Sequence, residues 1–178
     1  MPLFLYICGI FMKISEEFDR AVAYAREEAM RTGCTQIGAD HLMLGLLRLG
    51  SAEVLDVLRQ KGIEAAGMKS AIEAKVFQKQ GIPYGMEDDI RLDTEGNTAI
   101  NLAIASAQTD NAPEARPLHL LHALCCLSGP ACSEILREAG AGTMMGSVKV
   151  PQTQEYLPGE EEVNRLLGAF YFRSDIRS

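Results

Sequence analysis

The side chains able to do chemistry in this sequence are few. Five cysteines (Cys8, Cys34, Cys125, Cys126 and Cys132) and three histidines (His41, His119 and His122) are the candidate nucleophiles, bases and metal ligands. The cysteine count is odd and two are adjacent. No CxxC pair is joined by a second pair, or by histidines, at zinc spacing, so no metal site is expected. His122 lies three residues after His119 and shares a helical face with it, but two histidines do not complete a site. No Ser/His/Asp or Cys/His arrangement stands out for nucleophilic catalysis. No G-x-x-x-x-G-K-[ST] loop cradles a nucleotide phosphate: Gly81 and Gly85 are not followed by Lys-Ser/Thr, and GAGTMMGS has no lysine in place. The sequence therefore predicts no enzyme activity, no ATP hydrolysis and no cofactor. A Cys/His-dependent hydrolase on a helical scaffold is the alternative reading.

The elements that would position these residues emerge from comparing the chain with itself. HLMLGLLRLGSAEVLDVLRQKG (41–62) aligns without a gap on HLLHALCCLSGPACSEILREAG (119–140), an offset of 78 residues. His41 falls on His119, Leu42 on Leu120, Leu46 on Leu124, Leu58 on Leu136 and Gly62 on Gly140. The offset also holds upstream, where Ala21, Val22, Ala25 and Ala29 fall on Ala99, Ile100, Ala103 and Ala107. Cys125 and Cys132 stand where the first copy is apolar, which predicts core thiols. His41 and His119 open equivalent apolar helices, which predicts hydrogen-bonded structural histidines.

Periodicity predicts helices over about 15–31, 40–49, 51–61 and 64–79 in the first copy. In the second it predicts helices over 93–108, 118–127 and 130–139. Gly33 and Gly62 read as helix stops; Pro117 and Pro130 suit first turns. The expected fold class is all-α, with two pseudo-symmetric helical repeats packed as one bundle, because either copy alone is too small for a sound core. The domain would span 13–142, with copies at about 13–79 and 91–142. Residues 143–178 form a C-terminal tail with a short helix at 160–170, opened by Glu160-Glu161-Glu162.

Of the 178 residues 47% are hydrophobic, none is tryptophan, and the net charge is −7. That balance argues against nucleic acid as a partner and leaves room for cationic ones. Residues 1–12 are an apolar extension. The run is too short to span a bilayer, and its nearest positive charge, Lys13, follows it, whereas a secretory signal would be preceded by one. Packing of these residues on the domain, or a translation start at Met12, is the expectation, rather than a membrane anchor. Reduced thiols fit a cytoplasmic location.

FDRAVAYAREEAMRTGCTQIGADHLMLGLLRLG resembles the first repeat of the Clp N-terminal domain, as in ClpC- and ClpA-type ATPases. The family's G-T-E-H-[IL]-L-L-[GA]-L-[LI] run reads here Gly38-Ala39-Asp40-His41-Leu42-Met43-Leu44-Gly45-Leu46-Leu47. Arg116-Pro117-Leu118-His119-Leu120 is a more diverged second example. The resemblance implies a double-repeat helical fold and a non-catalytic role in docking adaptors or substrate segments for the Clp unfoldase and protease system. The chain would be either a piece of an unfoldase or a free-standing accessory protein of a Clp ring. It also implies a phosphoarginine-like site, with a hydroxyl at the first helix start for the phosphate and the motif acid for the guanidinium. Carried over, that pair is Ser15 and Asp40. The second copy offers Asp93 and Leu118, where carboxylate would repel phosphate and leucine cannot hold guanidinium, so its site is expected to be lost. Ser15, Asp40 and Asp93 are equally explained as helix caps.

Overall fold

A computed structural model describes residues 4–7, 10–78, 82 and 89–140. Seven helices dominate the described residues, so the chain is all-α, with only short strand pairings beside them. The first copy holds α1 (Glu16–Thr32), α2 (Ala39–Leu49), α3 (Ala52–Gln60) and α4 (Ala65–Val76). The second holds α5 (Thr94–Thr109), α6 (Pro117–Cys126) and α7 (Ala131–Glu138). These bounds follow the 78-residue offset to within a residue. The tail 141–178 and its expected helix lie outside the described residues.

Local chemistry accounts for the helix ends. Ser15 accepts from Phe18 N–H at 3.1 Å and caps α1. At the other end Gly33 adopts φ 80°, a left-handed conformation that costs glycine little, and its N–H closes on Ala29 and Met30 carbonyls. Pro117 begins α6, where its missing N–H is no loss.

Among the described residues five strands join the helices, none of them expected from periodicity. β3 (Gln36–Ile37) pairs parallel with β4 (Arg91–Leu92), and β2 (Ile10–Ile14) pairs parallel with β5 (Glu114–Ala115). Shifting Gln36↔Arg91 by 78 residues gives Glu114↔Lys13, the pair observed in the other ribbon. Each ribbon thus takes the strand before one copy's first helix and lays it on the strand before the other copy's second helix. β2 also pairs antiparallel with β1 (Phe4–Ile7), so the two strands form a hairpin. Periodicity missed these strands because two-residue ribbons have no measurable period. In the apolar hairpin no polar alternation marks the pattern, although Phe, Tyr and Ile favour extended backbone.

The core runs through both copies. Phe18, Val22 and Ala25 of α1, Leu42, Met43 and Leu46 of α2, and Ile100, Ala103, Leu120 and Leu124 of the second copy form one buried cluster. α1 and α2 approach closely at Gly45, where an added Cβ would stand 2.3 Å from the Ala21 carbonyl oxygen. The second copy has Ala123 at this position, so its helices pack with slightly more room.

Leu46 and Leu124, each at 0% exposure, are equivalent positions of α2 and α6. Replacing either with alanine should lower unfolding free energy by about 2–5 kcal/mol. Chemical denaturation reads the loss. A cost below about 0.5 kcal/mol at either position would show that the site collapses or is not packed as described.

Candidate functional site

The two histidines hold equivalent places. Gly38 N–H donates to His41 Nδ1 at 3.1 Å, and Arg116 N–H donates to His119 Nδ1 at 2.9 Å. Each imidazole therefore satisfies a free N–H ahead of its own helix. With Nδ1 accepting, the proton sits on Nε2. His41 Nε2 then donates to Thr32 Oγ1 at 3.2 Å, and that hydroxyl donates to the Glu28 carbonyl at 2.9 Å. His119 Nε2 lies 3.6 Å from the Asp110 carboxylate, at the position equivalent to Thr32. Burial lowers both pKa values below 6.5, against the pull of Asp40 and Asp93 at His41 and of Asp110 at His119.

His41 meets the last residue of α1, so α2 runs back along α1, and Asp40 stands near the C-terminal end of that helix. Ser15 stands at its start. The structure therefore does not bring Ser15 and Asp40 together: they are separated by about the length of α1, 17 residues, or roughly 25 Å at 1.5 Å per residue. Ser15 N–H instead donates to the Ala115 carbonyl at 3.0 Å, beside the motif of the second copy. Asp93 N–H donates to the Ile37 carbonyl at 3.1 Å, beside the motif of the first. The strand exchange crosses the expected pairs, so that Ser15 lies toward Leu118 and Asp93 toward Asp40. In this crossed arrangement neither pair, Ser15 with Leu118 or Asp93 with Asp40, joins a hydroxyl to an acid. The 78-residue offset gives equivalence but not which copy faces which, so the sequence did not show this.

Both acids of the Asp40 end are engaged in capping. Asp93 Oδ1 accepts from Gly96 N–H at 2.7 Å and caps α5. Asp40 accepts from Ala131 N–H at 3.1 Å and Cys132 N–H at 2.7 Å, capping α7 of the other copy. Gly38 lets Asp93 come close, since a Cβ there would stand 2.8 Å from Asp93 Oδ2. Glu95 joins this acidic corner, and its carboxyl is pushed up by burial first and then by Asp93 and Asp40. The equivalent end binds the copies with an ion pair instead, Arg116 to Glu53 at 2.8 Å.

Cys125 and Cys132 are held protonated. Burial, with Cys126 adding to it, pushes Cys125 up to about 11; burial and the Asp40 carboxylate push the 0%-exposed Cys132 higher still. Such thiols are poor nucleophiles at neutral pH. Among the described residues no group of three or more His, Cys, Asp or Glu is placed to hold a metal ion. Among them also, no helix is long and apolar enough to cross a membrane.

Two helical copies joined by exchanged ribbons, each with a histidine capping its second helix, define a double-repeat helical domain. Residues 13–95 match the family described as the Clp repeat (R) N-terminal domain. The match takes in the first copy and ends just inside α5, in keeping with the more diverged second copy. Similar relatives include the chaperone protein ClpB of Oceanobacillus iheyensis, 31% identical over 64 residues, or 36% of this chain and 8% of that one. The negative regulator of genetic competence ClpC/MecB of Bacillus subtilis is 30% identical over 71 residues, 40% of this chain and 9% of that one. The chain thus matches less than a tenth of the length of these relatives. Among solved structures, the N-terminal domain of the caseinolytic protease associated chaperone ClpD from Arabidopsis thaliana aligns with TM-score 0.55 and 14% identity, covering 89% of this chain and 96% of that one. A structure from preliminary structural investigations of a malarial protein secretion system aligns with TM-score 0.60 and 15% identity, covering 93% and 99%. At these identities the structures share the fold.

Two measurements follow from the site. Asp40→Ala should cost about 1–2 kcal/mol, a helix-cap loss with a charge at a helix N-terminus, and should speed amide exchange at Ala131 and Cys132; unchanged stability and exchange would refute the cap. The pH dependence has a definite sign. With folded pKa values below 6.5, the unfolded chain binds the histidine protons more tightly. Stability is therefore complete above that value and falls as pH drops through the folded pKa values. The urea midpoint should be lower at about pH 5.5 than at about pH 7.5. Asp19 and Glu95, whose carboxyls burial pushes up, act with opposite sign at lower pH. A midpoint that holds or rises toward about pH 5.5 would remove the histidine argument.

Proposed function

We propose that this chain is a non-catalytic protein-docking module of the Clp unfoldase and protease system, binding an adaptor or a substrate segment. The observation that carries the reading is the match of residues 13–95 to the Clp repeat family. The internal chemistry agrees with it. The histidines His41 and His119 and the acids Asp40 and Asp93 are occupied in holding helices and copies together, and the buried Cys132 thiol is held protonated. A hydrolase needs a base and a nucleophile free to exchange protons with substrate, and these side chains are neither free nor activated. Recognition then falls to the surface, and to partners that are proteins.

A phosphoarginine role is not part of this proposal. Such a ligand needs an anion-binding hydroxyl and a guanidinium-binding acid within one molecule's reach. Ser15 and Asp40 stand at opposite ends of α1, and Asp40 already accepts two amide protons.

The test is competition. Excess chain, added to a reconstituted Clp ATPase, protease and adaptor that degrade an adaptor-delivered substrate, should slow degradation. Calorimetry should show saturable micromolar binding to the adaptor or to a permanently unfolded model protein. Absence of binding to adaptor, unfolded protein and ATPase ring alike would overturn the docking role. Hydrolysis of peptide or ester substrates by the purified chain, lost in Cys126→Ser, would establish the enzyme reading instead.

A further inference from the structure

The hairpin presents a feature that the rest of the fold does not use. The strand order of its sheet is β1-β2-β5, so β1 is an outer strand, and among the described residues nothing pairs with its far edge. Two observations fix which backbone groups lie on that edge. Ser15 donates its N–H to Ala115 of β5. Alternation along the strand then turns Lys13 toward β5, and Ile10 and Met12 toward β1. Their partners are Ile7 and Leu5, which complete the hairpin's own hydrogen bonds. The N–H and C=O groups of Phe4 and Tyr6 consequently point away from the sheet.

Open edges are ordinarily blunted by charge or proline, because they template pairing with another chain. Residues 3–12, LFLYICGIFM, contain no charged residue and no proline. The family match begins at Lys13, so β1 lies ahead of it. β1 therefore gives its sheet a neutral, β-prone edge whose outward backbone groups are unpaired among the described residues.

We propose that β1 pairs antiparallel with β1 of a second copy of this chain, about a twofold axis at Leu5. Phe4 then faces the second copy's Tyr6, and Tyr6 the second copy's Phe4. Each pair exchanges both backbone hydrogen bonds, and the two sheets become one of order β5-β2-β1-β1-β2-β5. A second copy fits this edge because the outward positions 4 and 6 are exchanged by the twofold, so the strand is its own complement. No like charges meet across it. The net charge of −7 opposes association through the rest of the surface, which confines the contact to the neutral strand. The inference is independent of the docking role proposed above.

Sedimentation equilibrium of the full chain in reductant tests it. The expected result is a dimer with a micromolar Kd, unchanged in Cys8→Ser. Tyr6→Pro removes one outward N–H and leaves the hairpin's own hydrogen bonds intact, so it should raise Kd at least about tenfold while the circular dichroism spectrum is retained. A charge exchange guards against a merely misfolded variant. A chain carrying Phe4→Lys and Tyr6→Lys, and one carrying Phe4→Glu and Tyr6→Glu, should each be monomeric alone and should dimerise when mixed. A monomer at all concentrations, a dimer indifferent to these substitutions, or charged variants that stay monomeric in the mixture would overturn the proposal. So would a monomer whose β1 amides gain protection only when an extended peptide is added, which would give the edge to a different partner.

Discussion

The interaction on which the rest depends is the exchange of short strands between the two helical copies. Pairing Lys13 with Glu114 and Gln36 with Arg91 involves few main-chain hydrogen bonds. Its effect lies in placement rather than in energy. Each first helix starts from a strand held by the other copy, so Ser15 is fixed by Ala115 and Asp93 by Ile37. Neither copy can complete the backbone pairing ahead of its first helix without its partner. A copy alone would also leave half the core of Leu46, Ile100 and Leu124 exposed.

From this constraint follows the use of the polar residues. Both second helices must begin where a ribbon ends, and the N–H left ahead of each is taken by a histidine three residues on. Burial makes such a group costly unless it is paired, so the histidines are retained in neutral form as acceptors. Asp40 does for α7 what a local cap residue would otherwise do, with Pro130 at that helix's N-cap offering no side-chain oxygen. A residue type that suggests ligand chemistry is therefore accounted for by the joint between the copies.

The copies have diverged in how they fill equivalent places. In the first, Glu28 at 3% exposure is held by Arg31 at 2.6 Å and Arg48 at 3.3 Å, and Arg48 lies 4.6 Å over the Tyr24 ring. The second has Ser106, Thr109, Cys126 and Leu102 at these positions, and among the described residues the buried Ser106 hydroxyl has no hydrogen-bond partner. A buried ion pair needs every partner in place, since removing one leaves an uncompensated charge. The second copy replaces the whole set rather than one member. That wholesale change fits the family match, which ends at residue 95.

The sequence by itself determined the helices and their equivalence. Apolar residues at helical spacing, glycine stops and the gap-free 78-residue offset located seven helices to within a few residues, because burial of one helical face and left-handed caps are local requirements written in residue type. It also determined that Leu46 and Leu124 are core and that the chain carries no phosphate loop. Only the tertiary structure decided which copy each helix start faces. Strand exchange is carried by backbone groups that every residue possesses, so no side-chain pattern announces it, and it set Ser15 beside the motif of the second copy and Asp93 beside that of the first. The open edge of β1 was hidden for the same reason: an unbroken apolar run has no period to show which backbone groups are paired and which are left outward, and that distinction exists only once Ile7 lies against Ile10 and β2 against β5.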